Sequence, residues 1–253
     1  EIADNLPQPC FPMIRTVLMR TDQNEQVQIT EPVYHGPRIP VCWVIAVPGE
    51  IRPEDIFFAS TDFLDAVYER VRPVRTLETR EPIEPLSMNE TVDSSWPYIS
   101  GQLPLLRVVN APELIDPDAG HLFTWLNDNG YQVDDKTRQK TEQLAQEKYS
   151  FVCVKFNPPI GVEVKSGEKV KETCVATAPP LAIRSRYTGL ILPLELYGLQ
   201  ARKNTVIDAV VITSAPVQIT GGLSIDVTKN THLQPGELFE REIVKMASGK
   251  WVR

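Results

Sequence analysis

A chain of 253 residues that is 42% hydrophobic and 23% charged has enough apolar material to bury a core, and it lacks the bias of a disordered or repetitive polypeptide. Its 26 Lys and Arg against 33 Asp and Glu leave a net charge of -7, a balance that repels phosphate backbones and so excludes nucleic acid as an expected partner. No window reaches the roughly 18 apolar residues that a membrane span needs, since the most apolar run, Thr188 to Leu199, contains Pro193 and Glu195.

Twenty-two prolines against 13 glycines set the rhythm of the chain. Proline fixes φ and removes a donor, which favours short strands and rigid connectors over long helices. Phe11 to Arg20 alternates loosely and Gln26 to Tyr34 strongly, and together they predict a first hairpin. Val41 to Val47, VCWVIAV, is continuously apolar between Pro40 and Pro48-Gly49, the pattern of a strand buried on both faces. Pro53-Glu54-Asp55 then predicts a helix start, because proline suits the first turn and acids suit the positive end of the dipole. The helix is expected to run through IFFASTDFLDAVYERV, with Phe63, Leu64, Val67 and Val71 at helical spacing, and to end at Pro73.

Pro82, Pro85, Pro97 and Pro104 mark the next segment, about 74–115, as an extended excursion with at most one short strand. Asp118 is placed to cap a helix carrying Leu122, Phe123, Trp125 and Leu126, and Gly130 to close it in a left-handed conformation after Asn127-Asp128-Asn129. Asp134-Asp135 opens a second, mostly polar helix with Leu144 and Ala145 on its apolar side. From Tyr149 the period changes to two. FVCVKFNP, VEVKSGEKV and ETCVATAPP predict consecutive antiparallel strands, followed by strands in AIRSRY, GLILPLELYGL and NTVIDAVVITSAPVQI. LSIDV and ELFEREIVKM add a last strand and a short helix. The expected whole is one α+β domain over 1–253, mostly antiparallel, with a helical hairpin and a few other helices inserted.

Catalytic signatures are missing from this pattern. There is no GxSxG, HExxH, P-loop or GxGxxG, and the paired acids lie at helix starts, where adjacent side chains point apart. No catalytic residue, resident metal or cofactor is expected. The one metal-like run is DPDAGH, with Asp116, Asp118 and His121, but its spacing matches no known calcium or zinc site and a cap accounts for Asp118. Joined with the Asn127 to Asn129 corner, it is the alternative site of a hydrolase or metal-dependent enzyme. His35 and His232 lie in turn-like contexts and are expected on the surface. Trp96 and Tyr98, in SSWPY of the excursion, are the candidate interface residues, because rigid rings give contact area at low entropic cost. Cys10, Cys42, Cys153 and Cys174 could form two disulfides in any of three connectivities, or could be buried thiols.

The order WVIAVPG, FLDAVYERVRP, FTWLNDNGY, FVCVKFNP and ILPLELYGL, over Val41 to Ile212, resembles the exported bacterial proteins of domain-of-unknown-function family 2330. The chain departs from that family at its start, with Cys10-Phe11-Pro12 in place of a Cys-Gly-Gly sequence. The resemblance implies an extracytoplasmic, periplasmic or outer-face location, with any export signal or anchor lying upstream of Glu1. Export favours oxidised cysteines, and Cys153 with Cys174 is then the first candidate pair. The expected function is that of a non-catalytic accessory or scaffolding subunit of a membrane-bound complex, respiratory or photosynthetic, touching other membrane-anchored subunits. A glycan or small-ligand binding module is a further alternative, which needs a deep apolar pocket.

Overall fold

The computed structural model describes residues 10–71, 103–159, 173–193 and 206–212. Two sheets pack face to face, and helices cover their outer sides. The first sheet contains β1 (Cys10–Arg20), β2 (Gln26–Pro37), β4 (Ile56–Phe58), β8 (Thr173–Thr177), β9 (Leu181–Ser185) and β10 (Val206–Ile212), in the order β10-β1-β2-β9-β4 with β8 also on β2. The second contains β3 (Val41–Pro48), β5 (Arg107–Val108), β6 (Glu113–Ile115) and β7 (Tyr149–Asn157), with β3 on one edge of β7 and β5 and β6 on the other. Pairing is antiparallel except between β1 and β10. With three α-helices among the described residues, this is the α+β architecture that the period changes imply.

The alternation of side chains across each strand assigns them to three cores. Between the sheets lie Ile14, Tyr34, Trp43, Ile45, Val47, Val152, Val154, Phe156, Leu181 and Ile183. On the far side of the second sheet, Ala46, Phe151 and Cys153 meet α2 (Ala119–Asp128) and α3 (Asp135–Gln146) through Leu122, Phe123, Leu126 and Leu144. On the far side of the first, Val17, Met19, Val27 and Ile29 meet α1 (Thr61–Val71) through Phe63, Leu64 and Val67. VCWVIAV is thus apolar throughout because Val41, Trp43, Ile45 and Val47 face the inner core while Cys42, Val44 and Ala46 face the helices.

The helical corner forms as its composition requires. Asp118 Oδ1 accepts from the backbone N–H of Gly120 at 2.7 Å and of His121 at 3.4 Å. At the other end Gly130, with φ of 80°, lets its N–H reach the Asn127 carbonyl and that of Tyr131 reach Leu126, both at 2.9 Å. These are the two bonds of a Schellman closure, and Tyr131 folds back on the core that contains Leu126. Asp134 caps α3 through Thr137 N–H at 2.8 Å.

Several expectations are corrected. Pro53–Asp55 is a single 3-10 turn and Ile56–Phe58 is a strand, so the helix starts only at Thr61. Two forces override the favourable helix start: Ile56, Phe57 and Phe58 pair with β9, and the buried Asp55 carboxylate takes the Arg184 guanidinium. Next, β7 and β8 are not neighbours in one sheet: β7 lies in the second, and β8 crosses to pair with Val33 to Pro37 of β2. His35 is half-buried within β2, opposite both Cys10 and Val175, and is not in a turn. The excursion supplies two short strands, β5 and β6. Gly189 to Pro193, the described part of the expected GLILPLELYGL strand, run without regular structure. The expected VEVKSGEKV hairpin, LSIDV strand, ELFEREIVKM helix and His232 lie outside the described residues. No helix among the described residues is long and apolar enough to cross a membrane.

Beneath α1 the first sheet buries charge. Arg15 on β1 is ion-paired with Glu31 on β2, and both side chains are almost fully enclosed. The Arg15 guanidinium also donates to Asp65 of α1 at 2.7 Å and lies over the Tyr68 ring at 5.4 Å. Tyr68 donates to the Thr16 carbonyl at 3.0 Å and accepts from the Thr16 N–H at 2.9 Å. Burial alone would lower the Arg15 pKa, but Glu31 and Asp65 more than offset it and hold the group charged. Burial lifts Glu31 above the ordinary carboxyl range, against the pull of Arg15. Removing one member of such a pair strands the other in low dielectric, at about 3–5 kcal/mol. Glu31→Ala is expected to cost that much in urea unfolding, and Arg15→Met with Glu31→Leu to recover most of it. A double variant as unstable as the single one would show that the pair is more than a mutually satisfied burial.

Candidate functional site

A cluster of polar, ionisable and aromatic side chains lies on the outer face of the second sheet, under the C-terminal end of α2. Glu113 on β6 is its centre. Its Oε2 accepts from Trp125 Nε1 at 2.6 Å, its Oε1 accepts from Asn110 Nδ2 at 2.8 Å, and the Lys155 ammonium stands 3.8 Å from Oε1. Lys155 Nζ in turn donates to Asn129 Oδ1 at 2.5 Å and lies 4.9 Å from the Trp125 ring centre. Asn129 Nδ2 donates to the Trp125 carbonyl at 2.7 Å. The polar residues of FTWLNDNGYQV therefore close a helix and also anchor its end to the sheet by a carboxylate, an amide and an ammonium.

Strand register adds two thiols. Cys153 is directly opposite Glu113 across β6 and β7, and Cys42 is directly opposite Lys155 across β3 and β7. Alternate residues share a face, so both thiols project to the side of α2 and α3. The neighbouring Cys42 thiol and burial together drive the Cys153 pKa far above the usual thiol range. Burial and then Cys42 raise Tyr131. Cys42 is half-buried and Cys153 is 1% exposed. The arrangement binds the helix end to the sheet and keeps the Cys153 thiol protonated.

The sequence-predicted residues are distributed differently. Cys174 is buried between the sheets and Cys153 faces the helices on the far side of the second sheet. The Cys153–Cys174 pairing is thus not made, and none of the four cysteines is in a disulfide. The Cys10 thiol donates to the His35 carbonyl at 3.3 Å. Asp116, Asp118 and His121 are exposed, the Asp118 carboxylate is engaged at its helix, and no group of three His, Cys, Asp or Glu among the described residues is placed to hold a metal ion. An open depression beside them is lined by Pro117, Asp118, Ala119, Glu142, Ala145, Gln146 and Lys148. Trp96 and Tyr98 lie outside the described residues. Glu113, Lys155 and the nearness of Cys42 to Cys153 escaped the sequence reading. FVCVKFN does place Cys153 and Lys155 on one face of a strand, but only the register with β3 and β6 shows what they meet.

No family model matches the chain, and no curated protein does. Among solved structures it is similar to the crystal structure of baculovirus P35, at 11% identity and a TM-score of 0.40, covering 73% of this chain and 56% of that one. It is also similar to a mutated baculovirus P35 after caspase cleavage, at 12% identity and a TM-score of 0.30, covering 70% of this chain and 55% of that one. The chain spans a little over half the length of either, and likenesses this distant carry no function across.

The buried thiols and phenols govern the alkaline limit of the fold. Burial raises Cys174, and the Cys42 thiol and burial raise Cys153, so the folded chain keeps protons that the unfolded chain loses. Their stabilising effect is complete below the unfolded thiol pKa of about 8.5 and falls as pH rises above it. Tyr34 and Tyr68, also raised by burial, extend the fall above about pH 10. Urea midpoints are expected to be level from about pH 6 to 8 and to drop above, with a smaller drop in Cys153→Ser. A midpoint that rises with pH through this window would contradict the assignment.

Proposed function

We propose that the chain acts by protein–protein contact, as a non-catalytic accessory or scaffolding subunit outside the cytoplasm. The observation that favours contact is a rim of exposed apolar side chains. Ile39 is 45% exposed, Leu105 54% and Val109 51%, whereas apart from Val211 the other large apolar side chains among the described residues are mostly buried or half-buried. All three flank one end of the second sheet, where Val41 pairs with Phe156 and Phe156 with Val108. Leu105 bridges to Thr177 of the first sheet, and the Val109 N–H bonds the Lys155 carbonyl at 2.9 Å, so both are tied to strands by backbone hydrogen bonding. A fixed apolar rim on an acidic body suits a partner that presents its own apolar surface, since preformed contacts lose little entropy on binding. The extracytoplasmic setting and membrane-anchored partners rest on the resemblance of the motif order to family 2330 in the sequence.

The test is affinity recovery of the intact chain from gently solubilised native membranes after mild cross-linking. The wild type is expected to bring down a partner in stoichiometric amount. The triple variant Ile39→Asp, Leu105→Asp, Val109→Asp should lose it by at least about tenfold, which corresponds to about 1.4 kcal/mol. Recovery of the chain alone, or equal recovery by the folded variant, would set the reading aside.

A further inference from the structure

Between Leu105 and Val109 of the apolar rim stands Arg107, which is exposed as they are, while Leu106 and Val108 turn into the core between the sheets. The alternation follows from an extended backbone: Leu105 bridges to Thr177, Arg107 pairs with Asn157, and the Val109 N–H bonds the Lys155 carbonyl. At about 3.3 Å per residue, Arg107 sits about 6–7 Å from each aliphatic neighbour on the same side of the chain. The stripe therefore reads apolar, cationic, apolar.

Arg107 also differs from other arginines of the chain in what it holds. Arg15 is ion-paired with Glu31, Arg184 with Asp55, and Arg52 and Arg186 with Glu50. Arg138 lies over the Phe123 ring. Among the described residues no carboxylate lies within ion-pair distance of Arg107. Glu113, on the neighbouring strand β6, is engaged by Trp125, Asn110 and Lys155. In a chain with 33 acidic residues against 26 basic ones, a guanidinium left without a carboxylate at the centre of an apolar stripe is complementary to one supplied from outside. Arg20 also lacks one, but it lies beside the β1–β2 turn, away from the rim.

We propose that Arg107 makes the rim selective for a protein partner whose contact surface carries a carboxylate between two apolar side chains. The inference rests on the protein-contact reading and adds the chemistry of the partner. The planar fork of arginine takes both oxygens of a carboxylate at once. Leu105 and Val109 exclude water on either side of that pair, which strengthens it. A protein carboxylate fits better than a lipid phosphate, because one guanidinium on a body of net charge -7 does not offset the repulsion from an anionic membrane.

The experiment uses the full-length chain in gently solubilised native membranes. Arg107→Lys is treated with a carbodiimide, which joins an amine to a carboxylate with loss of water, and linked peptides are identified by mass spectrometry. An amide between residue 107 and an Asp or Glu of the partner is expected. Arg107→Glu, checked for folding by circular dichroism, should recover at least about tenfold less partner than the wild type, and wild-type recovery should fall as salt rises. Arg20→Glu should behave as the wild type. Equal recovery by Arg107→Glu with no amide at residue 107, while the Ile39, Leu105 and Val109 triple variant still loses the partner, would overturn the carboxylate and leave the contact reading standing. A wild type that recovers no partner would remove both. Binding of the wild type to phosphatidylglycerol vesicles, lost in Arg107→Glu, would assign the face to a membrane and overturn the proposal as well.

Discussion

The enclosure of β2 on every side is the constraint from which the rest of the molecule follows. Its first edge is occupied by β1 from Gln26 to His35, and its second by β9 over Gln26 to Thr30 and then β8 over Val33 to Pro37. One of its faces meets the second sheet through Tyr34, and the other meets α1 through Val27 and Ile29. A strand so placed has no solvent to satisfy its polar groups, so they depend on partners within the fold. Glu31 answers with Arg15, Thr16 and Thr30 bond each other at 2.9 Å, and Gln26 clasps the Ile191 backbone through both ends of its amide. The polar residues of β2 thereby dictate where β1, α1 and the segment after β9 must lie.

The second sheet repeats the scheme around β7, with a different result on its outer face. There the helices cover Phe151 and Cys153 completely but leave Cys42 and Trp125 half-buried. Glu113, Lys155 and Asn129 fill that partial gap with charge and amide groups, each pinned to another. Apolar enclosure and polar anchoring meet there, with Cys153 enclosed and Cys42 half-buried beside the ionic groups.

Much of this was legible from residue pattern alone. The β1–β2 hairpin, the doubly buried VCWVIAV strand and the Asp118-to-Gly130 helix with its Schellman end are all local, since caps, turns and apolar period act within a few residues. The failures are all long-range. Pro53-Glu54-Asp55 satisfies every local rule for a helix start, yet pairing of Ile56 to Phe58 with a strand more than a hundred residues later prevails. The alternation in FVCVKFN and ETCVATA reveals two strands but not that they join different sheets, because period two is blind to partner choice. The nearness of Cys42 to Cys153 has the same origin: it exists only in the register of β3 on β7. Nothing in the chain around either cysteine distinguishes it from a small core residue.

If β2 is the strand on which both sheets and α1 depend, its interior cannot open without loss of the whole fold. Native-state hydrogen exchange measures this directly. The backbone amides of Val27, Ile29 and Val33 are expected to exchange only at the free energy of global unfolding, with those of α2 and α3 exchanging earlier. Exchange of the β2 amides by local opening, while β7 and the helices stay protected, would contradict the account.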